Sequence, residues 1–473
     1  HRDAVIDWRP GHLPALAEVG GRFDLILLNA VWMHVPPAAR AAAFDRLVNL
    51  LAPGGLLVIT VRYGPDLPGR TFFPVPADEL AGFAQRYALG VVADEASPDR
   101  LGRDDVHWRT VAIRAGHDPD GGLALLRQVI VHDAKSSTYK LALLRSVLRI
   151  ADGQRGLVQP LPDGDVLVPM GAVALNWLRQ FRPLLFTDRP YKQATGGSAM
   201  RQPVFQVLGG LAADELRPGA RFEAGWAGPV DAALRAARAL ILKNPVTYTT
   251  GPDGTPLFRG EGRPERFTGA ALALHPGALW MYGRLRVPGA LWRAMTEHAA
   301  WVEPALELEW SRLMQAYDPA LTLDECARLL AWADPERSTQ AVRALVQTSP
   351  APVPCVWTGR PLTDDFQVDH CVPFARWPNN DLWNLLPASK AANQAKRDRL
   401  PSADLLQAAR PRIEAWWTQA YLSAPGRRGQ FLAEAAGALP VLGDPERPGA
   451  VFAGLTALRH RLRAAHQLAE WAP

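Results

Sequence analysis

Lysine is missing from residues 1–120, where 12 arginines stand against 15 acidic residues, so this stretch carries −3 and the rest of the chain +8. The basic excess therefore lies outside the N-terminal part, which is compatible with a phosphate-bearing partner and does not by itself identify one. Cysteine is almost as scarce. The three in 473 residues, Cys326, Cys355 and Cys371, are widely spaced and form no CxxC pair, which argues against a disulfide framework and a zinc ribbon and fits a reducing cytoplasm. No uninterrupted apolar run approaches the roughly 18 residues that cross a bilayer; Val168–Leu178 is short and carries Asn176. A soluble chain with no membrane partner is expected. No basic start, apolar stretch and cleavage site follow His1, so the expectation is that the chain begins inside a longer protein. Walker A, HExxH and GxSxG are all missing, and His132, His275 and His298 have no companions at ligand spacing.

What is present divides the chain into three expected units, as its length allows. Residues 24–62 read as strand, helix, turn and strand: "FDLILLNAVWMHV", then "PPAARAAAFDRLVNLLA" with apolar residues at helical spacing, then "PGG" and the β-branched run "LLVITV". That is one α/β unit of a parallel sheet. "AGHDPDGG" at 115–122 breaks the pattern and closes a first unit at 1–118. Residues 121–347 read as mostly helical, interrupted at Ser136, Ser137 and Thr138. A β-hairpin is expected at 246–260 around Pro252, Asp253 and Gly254. "TSPAPVP" at 348–354 opens a third unit, 348–473, whose tail is mostly helical. The fold class expected is multidomain, α/β followed by mostly α.

The chemistry concentrates in 355–401, "CVWTGRPLTDDFQVDHCVPFARWPNNDLWNLLPASKAANQAKRDRLP". "CVWTG" and "FQVDHCV" read as two short strands. Pro387 is expected in the first turn of a helix that Pro401 ends, with Asn393, Lys396 and Arg397 on one face. Phosphodiester hydrolysis needs a base for water, a hard cation and a fixed geometry. His370 suits the base. Asp369 and the Asn393 carbonyl are the oxygen donors that Mg²⁺ prefers. Asn384 is placed to hold the intervening loop through backbone hydrogen bonds. Neighbours on a strand face opposite ways, so Asp369 and His370 share a site only where the strand bends or ends. Trp377 and Trp383 are expected to pack in the core.

On these residues the stretch resembles the ββα-metal motif of HNH endonucleases: Asp369-His370, Asn384 about a dozen residues later, Asn393 on the helix, and the ending "NQAKRDRLP". The resemblance implies a nuclease hydrolysing DNA, with double-stranded DNA as partner and Mg²⁺ or Mn²⁺ as cofactor. It makes His370 the general base with Asn384 as structural Asn, Asp369 and Asn393 the metal ligands, and Lys396 a phosphate contact beside Arg397. The third motif letter is Asn rather than His, and the paired cysteines of zinc-holding members are absent.

Phe23–Val61 resembles the C-terminal half of a class I S-adenosylmethionine-dependent methyltransferase, through "FDLILLNAVWMHV" and "LLAPGGLLVI". This implies a truncated Rossmann-like sheet. The Gly-rich loop and acidic residue that bind the cofactor in that family are not in the chain, so S-adenosylmethionine is expected only in a complete parent protein and no residue is assigned to it. Asn29-Ala30-Val31-Trp32 departs from the motif of DNA amino-methyltransferases, which disfavours DNA as methyl acceptor; Asn29 and His34 are expected at a pocket edge. The alternative reading is a methyltransferase with a small-molecule, protein or RNA acceptor, whose HNH module only binds nucleic acid.

Overall fold

The computed structural model describes all residues other than 1–6, 115–120, 188–190, 196–198, 213–214, 252, 333, 442–443 and 473. It is a mixed α/β structure with several sheets and many helices. The chain forms two compact units, one of residues 1–119 with 456–467 and one of 120–455 with 468–473. Among the described residues, no helix is long and apolar enough to cross a membrane.

In the first unit, β1 (Phe23–Asn29), α1 (Pro37–Leu50), β2 (Leu51–Tyr63), α2 (Glu79–Arg86), β3 (Gly90–Pro98) and β4 (His107–Arg114) follow in chain order. The sheet order is β1-β2-β4-β3, with β1 and β2 parallel and β4 antiparallel to both neighbours. The alternation of Leu57, Ile59 and Val61 sends these side chains to the buried face of β2. Against them α1 turns Ala43, Phe44, Leu47 and Leu50, a spacing that keeps one helix face inward. Burying a side chain such as Phe44 contributes about 1.5–3 kcal/mol. Trp32 is fully buried in an edge contact with Phe44 and donates its indole N–H to Glu79 at 2.8 Å. It is core, whereas Asn29 Oδ1 accepts from Thr60 at the strand end and His34 Nδ1 meets the Thr71 carbonyl at 2.6 Å. The unit is not contiguous: the later part of the C-terminal helix belongs to it, and His460 Nε2 lies 2.7 Å from Asp45 Oδ1 of α1.

The second unit begins with α3 (Gly122–Arg127), α4 (Tyr139–Gly153), β5 (Gln159–Pro160), β6 (Val166–Pro169) and α5 (Met170–Leu185). The helix break falls at residues 133–138, where the Ser-Ser-Thr cluster stands. Then come β7 (Arg221–Phe222), α6 (Ala224–Ile241), β8 (Arg259–Glu261), β9 (Leu272–Ala273), α7 (Pro276–Trp280), β10 (Arg284–Val287), α8 (Gly289–Tyr317), α9 (Leu323–Leu330) and α10 (Gln340–Gln347). Helices α4, α5, α6 and α8 surround one large apolar core that includes Trp177, Phe181 and Trp310. The hairpin expected at 246–260 is not formed as such. Its first residues continue a helical turn, a single antiparallel bridge joins Thr250 to Pro256, and β8 pairs instead with β10, while Pro252 lies outside the described residues. The remaining elements are β11 (Gln367–His370), β12 (Leu385–Ala388), α11 (Lys390–Lys396), β13 (Leu400–Pro401), α12 (Ala403–Trp417), α13 (Pro425–Ala438), α14 (Pro448–His466) and β14 (Glu470–Trp471).

Candidate active site

Two strands and a short helix build the site: "FQVDHCV" supplies one strand as expected, but its partner is β12 and not "CVWTG". β11 pairs antiparallel with β12, His370 opposite Leu385 and Val368 opposite Pro387. "CVWTG" is a turn. Gly359, at a φ of 72° that glycine adopts without strain, closes it, Gly359 N–H donates to the Cys355 carbonyl, and Val356 N–H reaches the Pro387 carbonyl. Pro387 thus lies in a strand, and the helix starts three residues later than expected, at Lys390. Ser389 is its N-cap, with Oγ accepting from Ala392 N–H at 3.3 Å. The helix stops at Lys396, because Arg397 takes a φ of 55°.

Asp369 and Gln367 are two residues apart and face α11 together. Helix residues Asn393 and Lys396 meet them: Asn393 Nδ2 donates to Gln367 Oε1 at 2.6 Å, and Lys396 Nζ lies 3.0 Å from Asp369 Oδ1 and 2.6 Å from the His370 carbonyl. Asp369 Oδ2 accepts from the Trp357 indole at 2.8 Å. Burial raises the Asp369 carboxyl above the ordinary carboxylate range, opposed by the Lys396 charge and the Lys396 and Trp357 hydrogen bonds. Lys396 is fully buried. It does not share an outward face with Arg397, because the helix has ended before Arg397, which is exposed.

β11 ends at His370, and its ring points away from Asp369's face toward Phe374, 5.2 Å between centroids, and Asn380. His370 is 2% exposed and its Nε2 lies 3.2 Å from Asn380 Oδ1. The Asn380 amide has one possible orientation: Nδ2 donates to the Glu336 carbonyl at 2.7 Å and Oδ1 accepts from Ser338 N–H at 3.1 Å. An acceptor therefore faces Nε2, so Nε2 carries the proton and Nδ1 the lone pair. Nδ1 is buried without a hydrogen-bond partner. Burial, first, and then the charges of Arg337 and Lys396 lower the imidazole to about 4 against the Asn380 hydrogen bond, keeping it neutral near pH 7.

Asn384 spends its amide on backbone. Oδ1 accepts from Val372 N–H at 2.7 Å, and Nδ2 donates to the Val372 and Asn379 carbonyls, both at 3.2 Å. It clamps the loop that leaves His370. Asn384→Ala is expected to strand these buried groups at about 2–3 kcal/mol, seen as a thermal midpoint lower by several degrees; an unchanged midpoint would refute the clamp. Trp377 and Trp383 are buried against each other, 5.9 Å between centroids. Among the described residues no group of three or more His, Cys, Asp or Glu could hold a metal ion, and the three cysteines are buried and form no disulfide.

Sequence reasoning did not assign Asn380, Trp357, Gln367 or Arg337. The first three stand inside the quoted stretch but carry no motif letter, and Arg337 lies well upstream of it.

Residues 355–402 match the family described as HNH endonuclease, and residues 119–330 match a domain of unknown function, DUF8808. No curated protein and no solved structure matches the chain. The first match supports nuclease activity in general, nucleic acid as partner and a divalent metal ion, which HNH nucleases generally use; it gives no support to a methyltransferase.

Proposed function

We propose that this chain is a metal-dependent endonuclease that hydrolyses phosphodiester bonds of double-stranded DNA, with His370 as general base. The observation that carries the reading is the His370 ring itself: neutral, buried, its proton fixed on Nε2 by Asn380, and its Nδ1 lone pair unused. A base so held takes a proton from water without first losing one of its own. Asn384 acts through the loop and is a positioning residue.

Asp369 and Asn393 fit a hard cation. Gln367 holds the Asn393 amide nitrogen, which leaves its carbonyl oxygen as the donor. Each Asp369 oxygen accepts one hydrogen bond and keeps a second lone pair. One carboxylate and one amide oxygen are the small hard donor set that Mg²⁺ takes while retaining waters, and Mn²⁺ accepts the same set. When bound, such an ion supplies charge neutralisation on the phosphate and the leaving oxygen. Lys396, with its ammonium held by Asp369 and the His370 carbonyl, is assigned to positioning the carboxylate, and phosphate contact falls to the exposed Arg397. Arg397 holds a backbone conformation that costs of order 1–3 kcal/mol.

Supercoiled plasmid is expected to be nicked or linearised with Mg²⁺ or Mn²⁺ and to stay intact with EDTA. Intact plasmid with either metal would remove the endonuclease reading. For the first unit, the parallel β1–α1–β2 crossover is shared by α/β folds in general and does not single out a methyltransferase. A chain that binds duplex but never cuts it would favour the methyltransferase whose HNH module only binds nucleic acid.

A further inference from the structure

The HNH-matched stretch is not closed upon itself. Residues 336–338 lie between α9 and α10, outside both matched stretches, and they are laid against Asn380 as a strap. The Glu336 carbonyl and the Ser338 N–H take the two ends of one amide, so the backbone of Arg337 is held directly over Asn380, one side chain from the His370 ring. This is a two-point attachment to a group that itself touches the proposed base.

The other end of the strap is anchored in the helical region. Trp332 lies in a cradle of guanidinium groups, with Arg149 4.4 Å, Arg179 4.6 Å and Arg145 5.5 Å from the ring. Arg145 is buried, pairs with Glu303 at 2.9 Å and donates to the Leu330 carbonyl at the end of α9. Cation–π contacts of this kind fix the indole plane. Trp332 is thus tied to the helical region and residues 336–338 to the site.

Between these anchors the Arg337 side chain is exposed, and among the described residues its guanidinium takes no hydrogen bond or ion pair. A cation held at a site by its backbone, without a protein anion, is suited to an anion that arrives with the substrate. Lys396 is buried and already paired, and the exposed Arg397 stands at the other side of the stretch, past the end of α11.

We propose that Arg337 contacts a backbone phosphate of the bound DNA strand at the His370 site, so that the strap between the helical region and the HNH stretch is part of the nuclease centre. The proposal rests on the nuclease reading. A guanidinium presents two parallel N–H groups to a phosphate, and each neutralised phosphate releases counterions.

The test compares wild type with Arg337→Ala and Arg337→Lys in the full chain. Binding of a labelled duplex is followed against salt in metal-free buffer, and cleavage kinetics are followed with Mg²⁺. For Arg337→Ala the slope of log affinity against log salt is expected to fall by about one and kcat/KM by about tenfold or more, mostly through KM. Arg337→Lys is expected to restore the slope and only part of kcat/KM, because a point charge replaces the fork. The thermal midpoint is expected to stay at the wild-type value. An unchanged slope in Arg337→Ala, or cleavage faster than wild type, overturns the proposal. Wild type that binds but does not cleave removes the nuclease reading, while the salt slopes still decide whether Arg337 meets phosphate.

Discussion

His370→Ala is expected to lower kcat/KM for plasmid cleavage by about 10²–10⁴, the range over which a positioned general base acts, while duplex affinity stays at the wild-type level. The ring touches Phe374 and Asn380 rather than the exposed cations, so its loss removes the base without removing charge from the DNA-facing surface. The pH dependence gives a second readout. An ordinary histidine is half protonated near pH 6.5; burial carries this one down to about 4. Between those values the folded chain keeps a neutral imidazole while the unfolded chain binds the proton. Two results follow. The acid limb of log kcat/KM is expected below pH 5 rather than at 6.5, and the contribution of this residue to stability, complete above pH 6.5, is lost as pH falls through the window toward 4. A limb at pH 6.5, or a variant that still cleaves at the wild-type rate, would exclude His370 as the base.

The local and periodic features of this site were legible in the sequence. Asp369-His370, Asn384 and Asn393 stand in an order and spacing that carry their own geometry, and the strand ends at His370. Segments whose state depends on distant partners were not legible. "CVW" has the composition of a strand, but the chain turns at Gly359 and the strand that pairs with β11 comes from 385–388. Pro387 signals a helix start, yet its carbonyl is taken by Val356 and Ser389 caps the helix instead. Helical spacing places Lys396 beside Asn393 and says nothing about whether that face turns inward. Asn380 has no local signal because its meaning lies in Glu336 and Ser338, more than forty residues earlier. In the first unit the β1–α1–β2 pattern was visible from periodicity alone, whereas the contribution of residues 456–467 joins the two ends of the chain.

Lys396 separates stability from chemistry. Its ammonium is fully buried and, among the described residues, is the only side-chain cation bonded to Asp369, so Lys396→Met leaves a buried carboxylate with one neutral hydrogen bond from Trp357. Removing one partner of a buried pair costs about 3–5 kcal/mol. The thermal midpoint of the unit holding α11 is therefore expected to fall by roughly 10 °C, at about 2–4 °C per kcal/mol for a body of this kind. The carboxyl escapes part of that cost by taking a proton, since burial already favours its neutral form. Adding Asp369→Asn removes the stranded charge, because an amide still accepts from Trp357 and needs no cation. The double variant Lys396→Met, Asp369→Asn is expected to recover most of the midpoint. Cleavage is expected to remain lost, because the proposed anionic metal ligand has gone with the charge. If the double variant recovers both stability and cleavage, Asp369 is a structural anion and the proposed metal ligation at this carboxylate is wrong; if neither returns, Lys396 holds the fold through the His370 carbonyl rather than through Asp369.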